Sequence, residues 1–216
     1  GKTAQTVYAL ARLFGLPTRS QHFPCVILCP ASVMYHWKAE FAKWGFPQSA
    51  NVDVVHASNK TQQHNPFDLD VCITTYSGWV SAPAFHRSEN VRGLVVDEAS
   101  CLKSADTHLT RLAHACAPFL KMRIALSATP CQNRLMEFHS LFGFVQPGLL
   151  GDAEVFAQAF SDPIRAGTRS TSTPPQIAMA TALAQNLYTL IGGHMMRRTD
   201  AGHGRIKAKA EVVVWA

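Results

Sequence analysis

The stretch Leu94-Val95-Val96-Asp97-Glu98-Ala99-Ser100 decides the fold class of this chain. Three apolar residues in a row are typical of a short strand that is buried on both faces. A carboxylate at the end of such a strand can hold Mg²⁺ through its water shell, and an adjacent carboxylate can polarise an attacking water. The alternative is a pair of surface carboxylates at a strand end. The uninterrupted apolar run favours the first interpretation.

Similar apolar runs lie on both sides of this stretch and alternate with helical patterns. The predicted strands are Cys25–Cys29, Val52–His56, Asp70–Thr74, Leu94–Val96 and Arg123–Leu126. Helices are predicted at Thr3–Phe14, after Ser32, and at Thr107–Ala117. The alternation predicts an α/β fold, a mostly parallel sheet with helices on both faces. Ligands of such sheets bind at the carboxyl ends of the strands, where the polar motifs fall.

The second predicted helix contains two of the chain's four tryptophans. Ser32 is predicted to cap it, because a serine oxygen can accept from the first free backbone N–H groups. Its buried stripe is predicted to be Val33, Trp37, Phe41 and Trp44. These aromatic side chains could stack on bases, but their helical spacing favours core packing.

The last third of the chain is predicted to form a C-terminal helical extension. The predicted helices are Arg134–Val145, Ala153–Phe160 and Pro175–Ile191. The segment Ile164–Pro174 is rich in Gly, Ser, Thr and Arg and is predicted to be a mobile, solvent-exposed loop. Val212–Trp215 has the pattern of a strand without partners, as though another domain began there.

Composition narrows the class of protein without deciding its function. The net charge is +6 and the pI about 9.2, which fits a polyanion partner but is equally common among basic soluble domains. The six cysteines form no C-x-x-C pair, and the ten histidines lie at no ligand spacing from them, which argues against a metal cluster. Neither a membrane span nor a signal peptide is recognisable, so a soluble intracellular chain with reduced thiols is expected.

Gly1-Lys2-Thr3 has the form of the end of a phosphate-binding loop. The lysine amine of such a loop reaches the β- and γ-phosphates, the hydroxyl holds Mg²⁺, and the helix N-terminus presents N–H groups to the anion. The tripeptide alone is a weak signal. It gains weight from the helix that follows and from the acidic motif downstream.

Ser127-Ala128-Thr129-Pro130 follows the last of the parallel strands. Hydroxyl groups at such a position can sense a γ-phosphate and relay its state to a neighbouring surface. A plain Ser/Thr turn has the same composition. This motif therefore carries weight only together with the other two.

Taken in order, the motifs resemble the Swi/Snf family of superfamily 2 helicase-like ATPases. The segments that carry the resemblance are GKT, VILCPASVMYHWKAEFAKW, DVCITTYSGW, LVVDEASCLKS, ALSATPCQNRLMEFHSLFGFVQPGLLG, FAQAFSDPI and HMMRRTD. They span nearly the whole chain, and Thr129–Asn133 with Pro147–Gly151 is the most specific part. The stretch from Pro163 to Arg198 looks most similar to the Cockayne syndrome group B-like branch.

The resemblance implies a RecA-like P-loop ATPase lobe that uses ATP and Mg²⁺. Gly1, Lys2 and Thr3 match the ATP-binding residues, and Thr3 also matches a Mg²⁺ ligand. Asp97 matches the second Mg²⁺ ligand and Glu98 the catalytic carboxylate. Both carboxylates therefore belong to the predicted catalytic site.

The resemblance also implies contacts with double-stranded DNA and an element that couples hydrolysis to motion. The implied DNA-binding residues are Pro30, Ala31, Ser32, Thr74, Thr75, Tyr76 and Lys103. The implied coupling residues are Ser100, Ser127, Ala128, Thr129, Gln132, Asn133, Arg197 and Arg198. Three positions depart from the family pattern, with Ser100 in place of histidine, Cys101 in place of a basic residue and Ala128 in place of glycine. Weaker coupling between ATP and DNA is expected from the first, because serine keeps a hydroxyl but lacks the imidazole.

The resemblance divides the chain into an ATP-binding lobe (1–145), a family-specific helical extension (146–200) and the start of a link to a second RecA-like lobe (201–216). It implies a DNA-translocating ATPase that remodels nucleosomes or frees a stalled polymerase, located in the nucleus or otherwise the cytoplasm, with no membrane partner. The alternatives are a strand-separating DNA or RNA helicase and a DNA- or protein-binding scaffold with a decayed ATPase. Residues 1–216 alone are expected to be nearly inactive, because they lack the arginine of a second lobe.

Overall fold

The computed structural model describes residues 1–14, 24–56, 68–86, 91–128, 135–198 and 211–215. The strands in these ranges are β1 Cys25–Leu28, β2 Val52–Val54, β3 Val71–Thr74, β4 Gly93–Val96, β5 Met122–Ser127, β6 Met195–Arg198 and β7 Glu211–Trp215. They form one sheet in the order β2-β3-β1-β4-β5-β7-β6. The five strands from β2 to β5 in this order pair in parallel, as the sequence predicts.

The last two strands extend the sheet in the antiparallel sense. β7 pairs with β5, with Ser127 opposite Val212, and with β6, with Arg198 opposite Glu211. The expectation that Val212–Trp215 lacks partners is therefore wrong. The predicted division of the chain at 145 and 200 remains a prediction.

Helices cover both faces of the sheet, which confirms the predicted fold class. The helices are α1 Lys2–Phe14, α2 Met34–Lys43, α3 Tyr76–Val80, α4 His108–Cys116, α5 Leu135–Val145, α6 Ala153–Phe156, α7 Asp162–Gly167 and α8 Pro174–Ile191. Within the described ranges, none of them is long and apolar enough to cross a bilayer.

Alternate residues of the central strands feed two separate cores. Ile27 and Val95 face α1 and α2, where Leu10 and Trp37 are buried. The intervening residues, such as Leu94, belong to the core that includes α3, α4, α5 and α8. Burial on both faces explains why these strands are continuous apolar runs rather than alternating ones.

The start of α2 differs from the prediction. Ser32 lies in a 3₁₀ turn, Ala31–Val33, and its side chain makes no capping bond to the helix, which begins at Met34. Trp37 and Phe41 are buried as predicted, but Trp44 is 43% exposed. Trp44 is the residue after the last turn of α2, where its indole donates to Glu40, so it lies beyond the buried stripe.

The segment predicted as the loop Ile164–Pro174 is partly helical. α6 continues through the π-helical turn Ala157–Ser161 into α7, which reaches Gly167 and packs against α8. The remaining turn is held by the hydroxyl of Ser172, which donates to the carbonyl of Ala166 at 2.6 Å. The Gly/Ser/Thr composition indicated a loop, but close packing against α8 stabilises helix here.

His114 joins α4 to α5 and makes the stability of this contact dependent on pH. Its Nε2 donates to the carbonyl of Ser140 at 2.7 Å, and burial is the main cause that lowers the pKa of the ring. A lowered pKa in the folded chain means that the unfolded chain binds the proton more tightly. Stability from this group is therefore present above about pH 6.5 and is lost as the pH falls through the folded value.

We expect the free energy of unfolding to fall between pH 7.5 and pH 5, by no more than about 1.4 kcal/mol per pH unit for this single proton. Urea denaturation at several pH values measures it. His114→Asn should flatten the dependence, whereas His108→Asn, at the exposed start of α4, should retain it. An unchanged slope in His114→Asn would contradict the assignment.

Candidate functional site

Asp97 and Glu98 lie at the carboxyl end of β4, the central strand of the seven-stranded sheet. The backbone N–H of Asp97 still donates to the carbonyl of Leu28 at 2.8 Å, so strand pairing continues up to the first carboxylate. Glu98 has φ 48°, the one positive φ among the non-glycine residues that the structure describes. Left-handed backbone at such a residue costs on the order of 1 kcal/mol or more and occurs preferentially at functional sites.

Three donors fix the position of Asp97. The indole Nε1 of Trp37 donates to Oδ2 at 2.9 Å, and the backbone N–H of Glu98 donates to Oδ1 at 3.0 Å. The hydroxyl of Tyr76 donates to the backbone carbonyl of Asp97 at 2.6 Å. A carboxylate has about four lone-pair positions, so each oxygen can accept a further partner. An oriented carboxylate of this kind fits the predicted Mg²⁺ ligand, since Mg²⁺ prefers oxygen donors.

Lys2 reaches this turn from the first helix. Its Nζ lies 3.8 Å from Oε1 of Glu98, and the two side chains are 12% and 51% exposed. The first turn of α1 is formed, because the N–H of Gln5 donates to the carbonyl of Gly1 at 3.2 Å. The N–H groups of a first turn, at Thr3 for example, form a ready anion-binding site. The two predicted halves of the nucleotide site therefore meet.

The segment Thr74–Tyr76 lies at the end of β3, at the same edge of the sheet, and all three of its hydroxyls, including that of Tyr76 described above, already have partners. Thr74 is buried, and its hydroxyl donates to the carbonyl of Val55 at 2.8 Å. Thr75 caps α3 by accepting from the N–H of Gly78 at 3.0 Å. Their predicted DNA contacts remain predictions.

The segment Pro30–Ser32 follows β1, beside β3. The N–H of Cys29 donates to the carbonyl of Thr74 at 3.1 Å and so holds the two predicted DNA-tracking segments next to each other. Ala31 and Ser32 are exposed and Pro30 is half-buried. Both segments therefore lie at the same edge of the sheet as the Asp97 turn.

Comparison with known proteins identifies the family of the chain. The family model described as SNF2-related domain matches residues 1–214. The chain belongs to this family. The Swi/Snf resemblance of the sequence is therefore confirmed.

Relatives of this SNF2-related domain include proteins of DNA repair. Switch 2 of Arabidopsis thaliana is 30% identical over 211 residues, and DNA excision repair protein ERCC-6 of Homo sapiens is 32% identical over 214 residues. Each match covers 92% of this chain, but only 24% of Switch 2 and 14% of ERCC-6. The ERCC-6 relatives agree with the predicted likeness to the Cockayne syndrome group B-like branch.

A solved structure shares the fold. The SWI2/SNF2 ATPase core of Sulfolobus solfataricus in complex with dsDNA aligns with a TM-score of 0.65 at 25% identity. The alignment covers 89% of this chain and 36% of that chain. The sheet and its helices are thus the RecA-like lobe of such an ATPase core.

The predicted coupling residues of the SNF2-related domain are only partly described. Ser127 is buried at the end of β5 and Ala128 is half-buried, while Thr129, Gln132 and Asn133 lie outside the described residues. Arg197 and Arg198 lie in β6 at the edge of the sheet. The hydroxyl of Ser100 donates to the carbonyl of Glu98 at 3.3 Å, which ties it to the acidic turn.

Two thiols adjoin the acidic turn of this domain and stay neutral. Burial, with a smaller contribution from Asp97, raises the pKa of Cys29 to about 12. Burial is also the main cause that raises the pKa of Cys101 to about 12. The pKa of Tyr76 is raised for the same reason, so its phenol remains a donor. None of these groups therefore adds negative charge beside the acidic turn.

Two functional contacts were missed by sequence reasoning. The indole of Trp37 was assigned to the core alone, although a buried indole N–H almost always needs an acceptor, and Asp97 supplies it. Lys103 was assigned to DNA, but its Nζ lies 3.7 Å from Oε2 of Glu137 inside the domain. A DNA contact by Lys103 remains a prediction that requires the amine to leave this carboxylate.

Proposed function

We propose that this chain is the ATP-binding lobe of a DNA-dependent ATPase that translocates on double-stranded DNA. Its work would be to remodel nucleosomes or other DNA-bound protein, including a stalled polymerase during transcription-coupled repair. The observation that carries the proposal is the convergence of Lys2, Asp97 and Glu98 at the carboxyl edge of the sheet. A cation for phosphates, an oriented carboxylate and an exposed carboxylate are the groups that phosphoryl transfer to water needs.

Each residue of the cluster has a distinct part in the proposed reaction. The Lys2 amine and the N–H groups at Gly1–Thr3 would bind the β- and γ-phosphates of ATP. The Thr3 hydroxyl and the Asp97 carboxylate would hold Mg²⁺, which supplies neutralisation of phosphate charge when bound. Glu98, half exposed and left-handed, would orient the attacking water and draw its proton.

The DNA and the missing charge would come from outside the cluster. The segments Pro30–Ser32 and Thr74–Tyr76, beside the acidic turn, would contact DNA phosphates without reading bases. An arginine from a second RecA-like lobe would stabilise the transferred phosphoryl group. The double-stranded DNA in the Sulfolobus solfataricus structure supports the proposed DNA contacts. The DNA repair proteins among the relatives support the proposed role in repair and, with it, a nuclear location.

Triplex displacement and strand separation by the full-length protein distinguish the candidate functions. A translocase should show ATP hydrolysis stimulated by duplex DNA and should displace a triplex-forming strand without unwinding the duplex. Duplex unwinding would instead favour the helicase. For a scaffold with a decayed ATPase, Lys2→Ala would leave the rate of ATP hydrolysis unchanged. The proposed ATPase should instead lose turnover in this variant. Residues 1–216 alone should hydrolyse ATP negligibly, and robust DNA-stimulated turnover by them would overturn the requirement for a second lobe.

A further inference from the structure

Lys103 and Glu137 form an ion pair that is largely shielded from water. Nζ of Lys103 and Oε2 of Glu137 are 3.7 Å apart, and the two side chains are 12% and 23% exposed. Neither of these atoms has a hydrogen-bond partner in the part of the chain that the structure describes. The distance itself is longer than a hydrogen bond.

A shielded ion pair without hydrogen bonds carries a large desolvation cost in the folded state. Its mutual attraction compensates desolvation only when the geometry is good and the remaining lone pairs and protons are satisfied. The ion pair between Lys38 and Asp53 shows the contrast, with a 2.7 Å contact and side chains 46% and 44% exposed. Buried polar atoms are seldom left unsatisfied in this way, so the pair calls for an explanation.

The pair connects the catalytic turn to the helix behind it. Lys103 directly follows the 3₁₀ turn Ala99–Leu102, whose N-cap is Glu98, while Glu137 lies in the first turn of α5. A second link runs parallel to it, because the hydroxyl of Ser140 donates to the carbonyl of Leu102 at 2.7 Å. Glu137 and Ser140 are three residues apart and so share one face of α5.

The position of α5 along the chain suggests what the Lys103–Glu137 pair does. α5 follows the predicted coupling segment 127–133, whose first residue, Ser127, is buried at the end of β5. Any displacement of that segment would act on α5, and the Lys103–Glu137 pair would pass it to the turn that carries Glu98.

We propose that Lys103 and Glu137 are positioning residues that keep the Asp97–Glu98 turn aligned with α5, and that Lys103 acts through Glu137 rather than on a DNA phosphate. The inference rests on the proposed ATPase function and deepens it. The inference predicts that removal of either partner has the same effect on ATP turnover. A direct DNA contact would involve only the lysine.

A double-mutant cycle in the full-length protein tests this prediction. The variants are Lys103→Met, Glu137→Gln, the double variant, the conservative Lys103→Arg and the matched control Lys38→Met, which breaks the exposed pair. We expect each single change to lower kcat of the DNA-stimulated ATPase about tenfold, a coupling of the size seen between residues in contact. The KM for ATP and the DNA concentration for half-maximal stimulation should change less than about twofold, since neither residue would touch ATP or DNA.

The double variant should be no slower than the slower single variant, and Lys103→Arg should restore at least half of kcat. Lys38→Met should behave as the unchanged protein. A rise in the half-maximal DNA concentration for Lys103→Met, with Glu137→Gln unaffected, would assign Lys103 to DNA and overturn the inference. Unchanged kcat in both single variants would overturn it too. Absence of DNA-stimulated turnover in the unchanged protein would instead contradict the proposed function itself.

Discussion

Glu98→Gln in the full-length protein is expected to lower DNA-stimulated ATP turnover by about 10²- to 10⁴-fold, the usual contribution of a positioned general base. Glutamine keeps the size of the side chain and can still accept a hydrogen bond, but it cannot take a proton. The proposed Mg²⁺ ligand Asp97 should keep its orientation, because Trp37 and the backbone N–H of residue 98, not the Glu98 side chain, donate to it. Loss of the 3.8 Å contact with Glu98 leaves the Lys2 amine free for the nucleotide, so ATP affinity should be equal or higher.

Steady-state hydrolysis and equilibrium binding of a fluorescent ATP analogue separate these two effects. Glu154→Gln is the matched control, since Glu154 is an exposed glutamate on α6 outside the cluster. It should turn over ATP as the unchanged protein does. Glu98→Gln with near-normal kcat would remove Glu98 from the chemistry, and weak ATP binding would show that the substitution had disturbed the turn instead.

The convergence of Lys2 with Glu98 could be predicted from sequence because it follows from local patterns and one topological rule. Apolar runs that end in polar residues predict buried parallel strands, and their carboxyl ends meet at one edge of the sheet. The acidic motif follows such a run directly. Gly1-Lys2-Thr3 opens a helix that packs on the same sheet, so the two motifs are expected at the same edge of the sheet.

The missed features depend on contacts between residues that are distant in sequence. Val212–Trp215 has the pattern of a strand, but nothing local indicates that its partners are β5 and β6. The partner of the Trp37 indole lies 60 residues away in sequence, at Asp97. The helix at Asp162–Gly167 forms in a segment of loop-like composition because α8 packs against it. Tertiary contacts outweigh local propensity only in this helix, whereas in the other two cases the local pattern is correct and only the distant partner is missed.

Gly167→Ala is expected to be the most destabilising single-methyl change in the helical extension. A Cβ at this position would overlap the Cβ of Ala180 and lie 2.5 Å from the carbonyl oxygen of Gln176, both on α8. Backbone and alanine atoms cannot rotate away, so α7 and α8 would have to separate. Overpacking of this kind costs about 3 kcal/mol at the upper end of its usual range.

Alanine also favours helix over glycine by about 1 kcal/mol, so the net loss expected for Gly167→Ala is about 2 kcal/mol. Urea denaturation of the chain measures it as a lower midpoint with an unchanged slope. Gly192→Ala is the matched control, because Gly192 ends α8 with φ −58° and no described atom lies within 4 Å of its Cβ position. Its right-handed backbone suits alanine, so that variant should be as stable as the unchanged chain or slightly more stable. Equal midpoints for the two variants would mean that α7 and α8 do not cross as closely as the structure shows.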